Sequence, residues 1–119
     1  MSFKFMPPED KIFLLHIIES IKIIESHIKN ISEEKFSRSR IIQDAIVRRL
    51  EVVGEAARNL SVDFKKKHNQ IEWPKITGMR NLLIHEYFGV DLMLVWKTVK
   101  NDLPTLKKEI KKFLEYLSL

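Results

Sequence analysis

Residues 36–60, FSRSRIIQDAIVRRLEVVGEAARNL, decide the fold class. Ile41, Ile42, Ala45, Ile46, Leu50, Val52, Val53, Ala56, Ala57 and Leu60 recur at helical steps along this stretch. On a wheel of about 100° per residue they fill roughly half the circumference, more than one neighbouring helix requires. The pattern predicts a long helix from Phe36 to Leu60, lying centrally or facing a second subunit as well. Arg49 falls near the middle of the apolar arc. A buried guanidinium without a partner is costly, so this position calls for a carboxylate, a carbonyl or an interface. An interhelix or dimer salt bridge is the plain reading and RNA contact the other, with Asp44 and Glu55 as candidate partners.

Working outward, Glu9–Asn30 carries Phe13, Ile17, Ile21, Ile24 and Ile28 on one face at three- and four-residue steps. Ser61–Ile71 is polar and predicts only a short helical turn. Pro74 suits the first position of a further helix running through Phe88, and Gly89 suits a left-handed stop after it. Asp91 is placed to cap the next helix, with Val90 and Val95 as a hydrophobic staple. That helix buries Leu92, Val95, Trp96, Val99 and Leu103. Pro104 then kinks or restarts it, and Leu106, Ile110, Phe113, Leu114 and Leu117 continue the stripe. No segment alternates like a strand. The expected fold is all-α: one domain over residues 1–119, an antiparallel bundle of roughly four to five helices with short connections.

Composition narrows the function classes. A chain of 119 residues with 45% hydrophobic content can bury a core without disulfides or a structural metal. It has no cysteine, which fits a reducing compartment and removes thiolate metal sites and cysteine nucleophiles. The amino terminus MSFKFMPPEDK has no apolar signal core, and no apolar run approaches the roughly 20 residues of a membrane span. A cytoplasmic protein without membrane contact is expected. Lys and Arg outnumber Asp and Glu by 21 to 16, a net charge of +5 that permits an anionic partner such as RNA. Lys65-Lys66-Lys67 and the lysines from Lys107 to Lys112 read as solvated faces.

The segment Arg80-Asn81-Leu82-Leu83-Ile84-His85-Glu86-Tyr87 concentrates reactive side chains on one expected helix. Arginine donates two parallel hydrogen bonds to phosphate oxygens, and histidine exchanges protons near neutrality. On an ideal helix Arg80 and Tyr87 point within about 20° of each other, whereas Arg80 and His85 diverge by about 140°. Asn81 and His85 share a face. A two-fold partner would bring a second Arg80 and His85 into one cleft, so a homodimer is expected. The chemistry suggested is metal-free cleavage of RNA. His85 would be general acid or base, Arg80 would stabilise the phosphorane-like charge, and Asn81 would orient His85 or the phosphate. A 2′-OH nucleophile excludes DNA as substrate. The bland alternatives are Arg80 paired with Glu86 or Asp91, His85 as a helix-dipole partner, and Tyr87 as a core aromatic.

Other residues read as structural. His16 and His27 lie about 16 Å apart along their helix, too far for one metal ion, and His68 sits in the polar connection. All three are expected at the surface, with no metal site. Trp73 and Trp96 suit core or groove-edge packing. No glycine-rich phosphate loop is present, so no nucleotide cofactor is expected.

The chain also resembles a known family. The runs Gln43–Glu51, Gly54-Glu55-Ala56-Ala57, Trp73, Gly78-Met79-Arg80-Asn81, His85–Asp91, Val95-Trp96 and Asp102-Leu103-Pro104 look like those of HepT-like toxins of the HEPN superfamily. The resemblance covers nearly the whole chain from Asp10. It implies a dimeric ribonuclease toxin acting on tRNA or mRNA, with Arg80 and His85 catalytic and Asn81 in the extended motif. It also implies a minimal nucleotidyltransferase antitoxin of the MntA type that transfers AMP from ATP to Tyr87. A rival of another class is a non-catalytic helical partner of such a nucleotidyltransferase.

Overall fold

The computed structural model describes residues 8–86 and 91–118. Its elements are α1 (Pro8–Ile28), α2 (Glu33–Arg38), α3 (Arg40–Asn59), α4 (Val62–Lys67), α5 (Trp73–Glu86), α6 (Leu92–Lys97), a π-helical segment (Thr98–Asp102) and α7 (Leu103–Ser118). Among the described residues there is no strand, as the 3.6-residue period requires. None of these helices is long and apolar enough to cross a membrane.

The segments outnumber the expected four or five because short polar side chains cut the helices locally. Asn30 ends α1 in the left-handed region at φ 61°, a conformation asparagine tolerates better than most residues. The helix expected to start at Phe36 is divided at Ser39. The Ser39 hydroxyl accepts from Ile42 N at 3.3 Å and starts α3, while its own N–H donates to the Phe36 carbonyl. The buried Gln43 amide also donates to that carbonyl, at 2.9 Å. The break therefore leaves Phe36 O satisfied and costs little. Ser61 caps α4 by accepting from Phe64 N. The carboxylate of buried Asp10 accepts from Ser61 N and Ser61 Oγ at 2.8 and 2.7 Å, tying the start of α1 to the start of α4.

Pro74 is the second residue of α5, still within the turn whose N–H groups have no helical acceptor. Asp91 caps α6, its carboxylate accepting from Met93 N at 2.9 Å. Gly89 and Val90, expected as a helix stop and half of a staple, lie outside the described residues. Pro104 is the second residue of α7, so the α-helix restarts beside it. The wide turn from Thr98 to Asp102 precedes it, giving room where a proline ring would press on the carbonyl one turn back.

The core joins one face from each long helix. Leu14, Ile17, Ile21 and Ile24 of α1 meet Ile46, Leu50 and Val53 of α3, Leu83 of α5 and Ile110 of α7, all essentially sealed from solvent. α3 packs on both α1 and α5, the central placement its wide apolar arc predicts. Ile41 departs from that arc and is 84% exposed at the start of α3. Trp73 is buried, and its indole Nε1 donates to the His68 carbonyl at 3.1 Å. Trp96 packs half-buried against Phe36.

His68 corrects the expectation of a surface residue. It is only 6% exposed, its ring 4.5 Å from Phe64 and 4.2 Å from Phe113 between centroids. The polar sequence around it conceals this because the chain turns there and folds the ring under α7. Burial, with Lys67 adding to it, pushes the imidazole pKa below its ordinary value.

Candidate functional site

Arg80 is placed by a close approach of α5 to α3. A Cβ added to Gly54 would collide with Arg80 Cβ and come within 3.3 Å of Arg80 Cα. Only glycine lets the two backbones meet this closely. The approach carries the guanidinium over the next residue of α3: Arg80 Nη2 lies 2.9 Å from Glu55 Oε2. Of the partners weighed from sequence, Asp91 makes no ion pair with Arg80 among the described residues, and the Glu86 side chain lies outside them. The Arg80 side chain is 20% exposed and that of Glu55 45%. Glu55 is nearly half open to solvent, which screens the pair, so its main consequence is orientation.

The pair is close without being aligned as a hydrogen bond. Glu55 Oε2 and Arg80 Nε are both buried and have no hydrogen-bond partner among the described residues. Glu55 Oε1 accepts from Asn59 Nδ2 at 3.5 Å, and Arg80 Nη1 donates to Asn81 Oδ1 at 2.9 Å. Arg80 is thus held on two sides, with its buried Nε–H unpaired among the described residues.

The guanidinium lines a cavity of about 210 Å³ where α1, α3 and α5 meet. Phe13 and His16 come from α1; Arg48, Glu51 and Glu55 come from α3. Arg48 and Glu51 form a looser ion pair at 3.6 Å. The cavity therefore presents two guanidinium groups, two carboxylates and one imidazole. Such a set can grip a phosphate and exchange protons with what is bound.

Of the residues singled out in the sequence, Arg80 and Asn81 touch each other through a hydrogen bond. Asn81 thus steadies the arginine. His85 lies on α5, but its side chain is outside the described residues, as is Tyr87. Arg49 is half-buried and, among the described residues, makes no hydrogen bond or ion pair. Its candidate partners are engaged elsewhere, Asp44 with Arg40 at 3.3 Å and Glu55 with Arg80. Sequence reasoning missed Glu55 as the anchor of Arg80 and His16 as a cavity residue. The Gly54-Glu55 pair was the available signal, since a glycine inside a long helix marks a close backbone approach.

Among the described residues no group of three or more histidine, aspartate or glutamate side chains is arranged to hold a metal ion. A family model described as "Ribonuclease HepT-like" matches residues 17–113. The chain is 48% identical over 112 residues to a Methanocaldococcus jannaschii protein named "Gamma-glutamylcyclotransferase and putative RNase", covering 94% of this chain and 50% of that protein. It is 40% identical over 103 residues to a "Putative RNase" of Caldanaerobacter subterraneus, covering 87% and 92% of the two chains. It is 43% identical over 107 residues to a "Probable ribonuclease HepT" of Thermococcus cleftensis, covering 90% and 97%. The chain therefore spans half the length of the first of these proteins and nearly all of the other two. No solved structure matches it.

Proposed function

The chain belongs to the ribonuclease HepT-like family, and on that premise we propose that it is a metal-independent endoribonuclease, the toxin of a toxin–antitoxin pair. The observation that carries this reading is Arg80, fixed by Glu55 and Asn81 at a cavity with its Nε–H unpaired among the described residues. A guanidinium held in advance stabilises charge on a transition state without reorganising when that charge appears. In the reaction a ribose 2′-oxygen attacks the adjacent phosphorus and the 5′-oxygen leaves. His85 serves as general acid or base, Arg80 binds the non-bridging oxygens, and Asn81 keeps Arg80 in register. Glu55 is a positioning residue.

On an ideal helix positions 80 and 85 diverge by about 140°, a spacing that supports a homodimer with a shared cleft. Apolar side chains near that helix support it as well: Leu82 is 40% exposed, Met93 55% and Leu94 52%, area that a second copy would cover. The substrate is tRNA or mRNA. The antitoxin is a minimal nucleotidyltransferase that transfers AMP to Tyr87. The seven-residue spacing would put Tyr87 on the Arg80 face of an ideal helix, where an added AMP would bring phosphate charge and bulk to the RNA site and repel the strand.

The test is cleavage of tRNA and mRNA pools by the purified full chain. Wild type is expected to cut RNA and leave DNA intact, and His85→Ala to lose at least about 10²-fold in rate. Equal inertness of wild type and His85→Ala would remove the enzyme and leave the non-catalytic partner. For the modification, intact mass after co-expression with a cognate nucleotidyltransferase should show AMP-sized additions that vanish in Tyr87→Phe. Additions that persist move the acceptor elsewhere.

A further inference from the structure

The charged groups lining the Arg80 cavity cancel: Arg48 and Arg80 stand against Glu51 and Glu55. Such a site can hold one phosphate by geometry, but it exerts little net pull on a polyanion. The positive charge of the chain lies elsewhere, and it is unevenly spread. α4 and α7 together carry seven lysines against three carboxylates, which is four of the chain's five net positive charges.

The fold joins these two helices although they are far apart in sequence. Phe64 of α4 meets Phe113 of α7 edge-on at 5.6 Å between centroids, and the His68 ring lies 4.2 Å from the same phenylalanine. Lys67 is near enough to this junction for its charge to act on the His68 imidazole. The inner side of each helix is apolar and buried, with Phe64 on α4 and Leu106, Ile110 and Phe113 on α7. The outer side is left to the lysines. Three of them brace the fold. Lys65 Nζ donates to the Ala57 and Arg58 carbonyls at the end of α3, Lys107 pairs with Glu25 of α1 at 2.7 Å, and Lys112 pairs with Glu109 at 3.5 Å. The other four, Lys66, Lys67, Lys108 and Lys111, are exposed and make no hydrogen bond or ion pair among the described residues. A bilayer is a poor match for this surface, because a membrane-bound helix must offer its apolar stripe and α7 has buried its own in the core. Mobile ammonium groups instead suit the phosphates of a strand, whatever its bases.

We infer that the outer faces of α4 and α7 form an RNA-backbone surface, on which Lys66, Lys67, Lys108 and Lys111 hold phosphates of the substrate away from the bond that is cut. The inference rests on the ribonuclease reading above and deepens it. The Arg80 cavity carries out cleavage, and the lysine surface supplies the attraction for the strand. These lysines touch no reacting atom, so they govern affinity and its salt dependence rather than the chemical step.

The experiment compares three forms of the full chain. One is wild type, and one carries Lys66→Gln, Lys67→Gln, Lys108→Gln and Lys111→Gln. The third is a control with Lys22→Gln, Lys29→Gln, Lys35→Gln and Lys97→Gln, which removes the same charge from lysines that are equally exposed. Binding of tRNA by fluorescence anisotropy and its cleavage are both followed between about 50 and 200 mM salt. The α4–α7 variant is expected to bind about tenfold or more weakly, with the slope of log affinity against log salt flattened by about 3 and kcat within about twofold of wild type. Arginine at the same four positions should restore both affinity and slope. The control should shift the slope by less than about 1. Equal losses in the two glutamine variants, or wild-type affinity and slope in the α4–α7 variant, overturn the inference and leave the ribonuclease reading standing. Lysine-dependent binding by a wild type that cuts no RNA overturns the ribonuclease reading instead. A wild type that neither binds nor cuts overturns both.

Discussion

The α1–α3–α5 cavity and the junction of α4 with α7 each hold a histidine beside a phenylalanine, yet their surroundings differ in kind. His16 is exposed among two arginines and two glutamates, with Phe13 at its edge. His68 is sealed between Phe64 and Phe113, with Trp73 close to Phe64. Charges that are paired but open to solvent are poor at stabilising a fold and well suited to binding an anion. Aromatic rings in mutual contact are the reverse, since they bury apolar area and contribute stability. On the proposed function the cavity serves chemistry and the α4–α7 junction serves packing, so substitutions in the two should fail in different ways.

The largest expected effect is on the cavity side. Arg80→Ala should lower kcat/KM for RNA by about 10²–10³-fold. Its unfolding free energy should move by about 1–2 kcal/mol, because the carboxylate left behind on Glu55 keeps 45% of its side chain in solvent. Cleavage kinetics with a urea titration on the same sample decide it. An active Arg80→Ala would erase the distinction between the regions.

Gly54→Ala should come next, because it touches both quantities. The new methyl would occupy the position of Arg80 Cβ, and backbone rather than a flexible side-chain tip must yield. Overpacking of this kind costs about 1–3 kcal/mol, and RNA cleavage should fall with it as Arg80 is displaced. Wild-type stability in the urea titration would mean that α3 and α5 separate freely.

The smallest effect belongs to His68 and acts on stability alone. Its pKa is lowered in the fold, chiefly by desolvation. The unfolded chain therefore takes up a proton first as pH falls, and the group's full contribution is present above the unfolded value of about 6.5. That contribution declines as pH drops through that value toward the folded one. Urea midpoints should fall between pH 7.5 and pH 5, and His68→Phe should flatten that slope while leaving cleavage per folded molecule unchanged. An equal slope in the variant would assign the pH dependence to other groups.

Legibility followed the range of the interaction involved. The cap at Asp91 and the central role of α3 were readable, because a cap acts within three residues and an apolar arc repeats along one helix. The break at Ser39 was not, since a serine inside a helical period continues the helix or cuts it depending on whether Phe36 O finds other donors. Gln43 supplies one only in the folded chain. In the same way His68 reads as polar surface until Phe113 arrives from the far end of the chain.

The amino-acid sequence by itself determined an all-helical chain, the family it belongs to, and the residue types of the Arg80–Tyr87 segment. Period, capping and motif spacing are properties of neighbouring residues and survive without a fold. Only the tertiary structure decided that Arg80 is anchored by Glu55 and that His16 shares its cavity while His68 does not. Those outcomes depend on how closely α3, α1 and α5 dock. That docking distance is set where Gly54 lets one backbone rest against another.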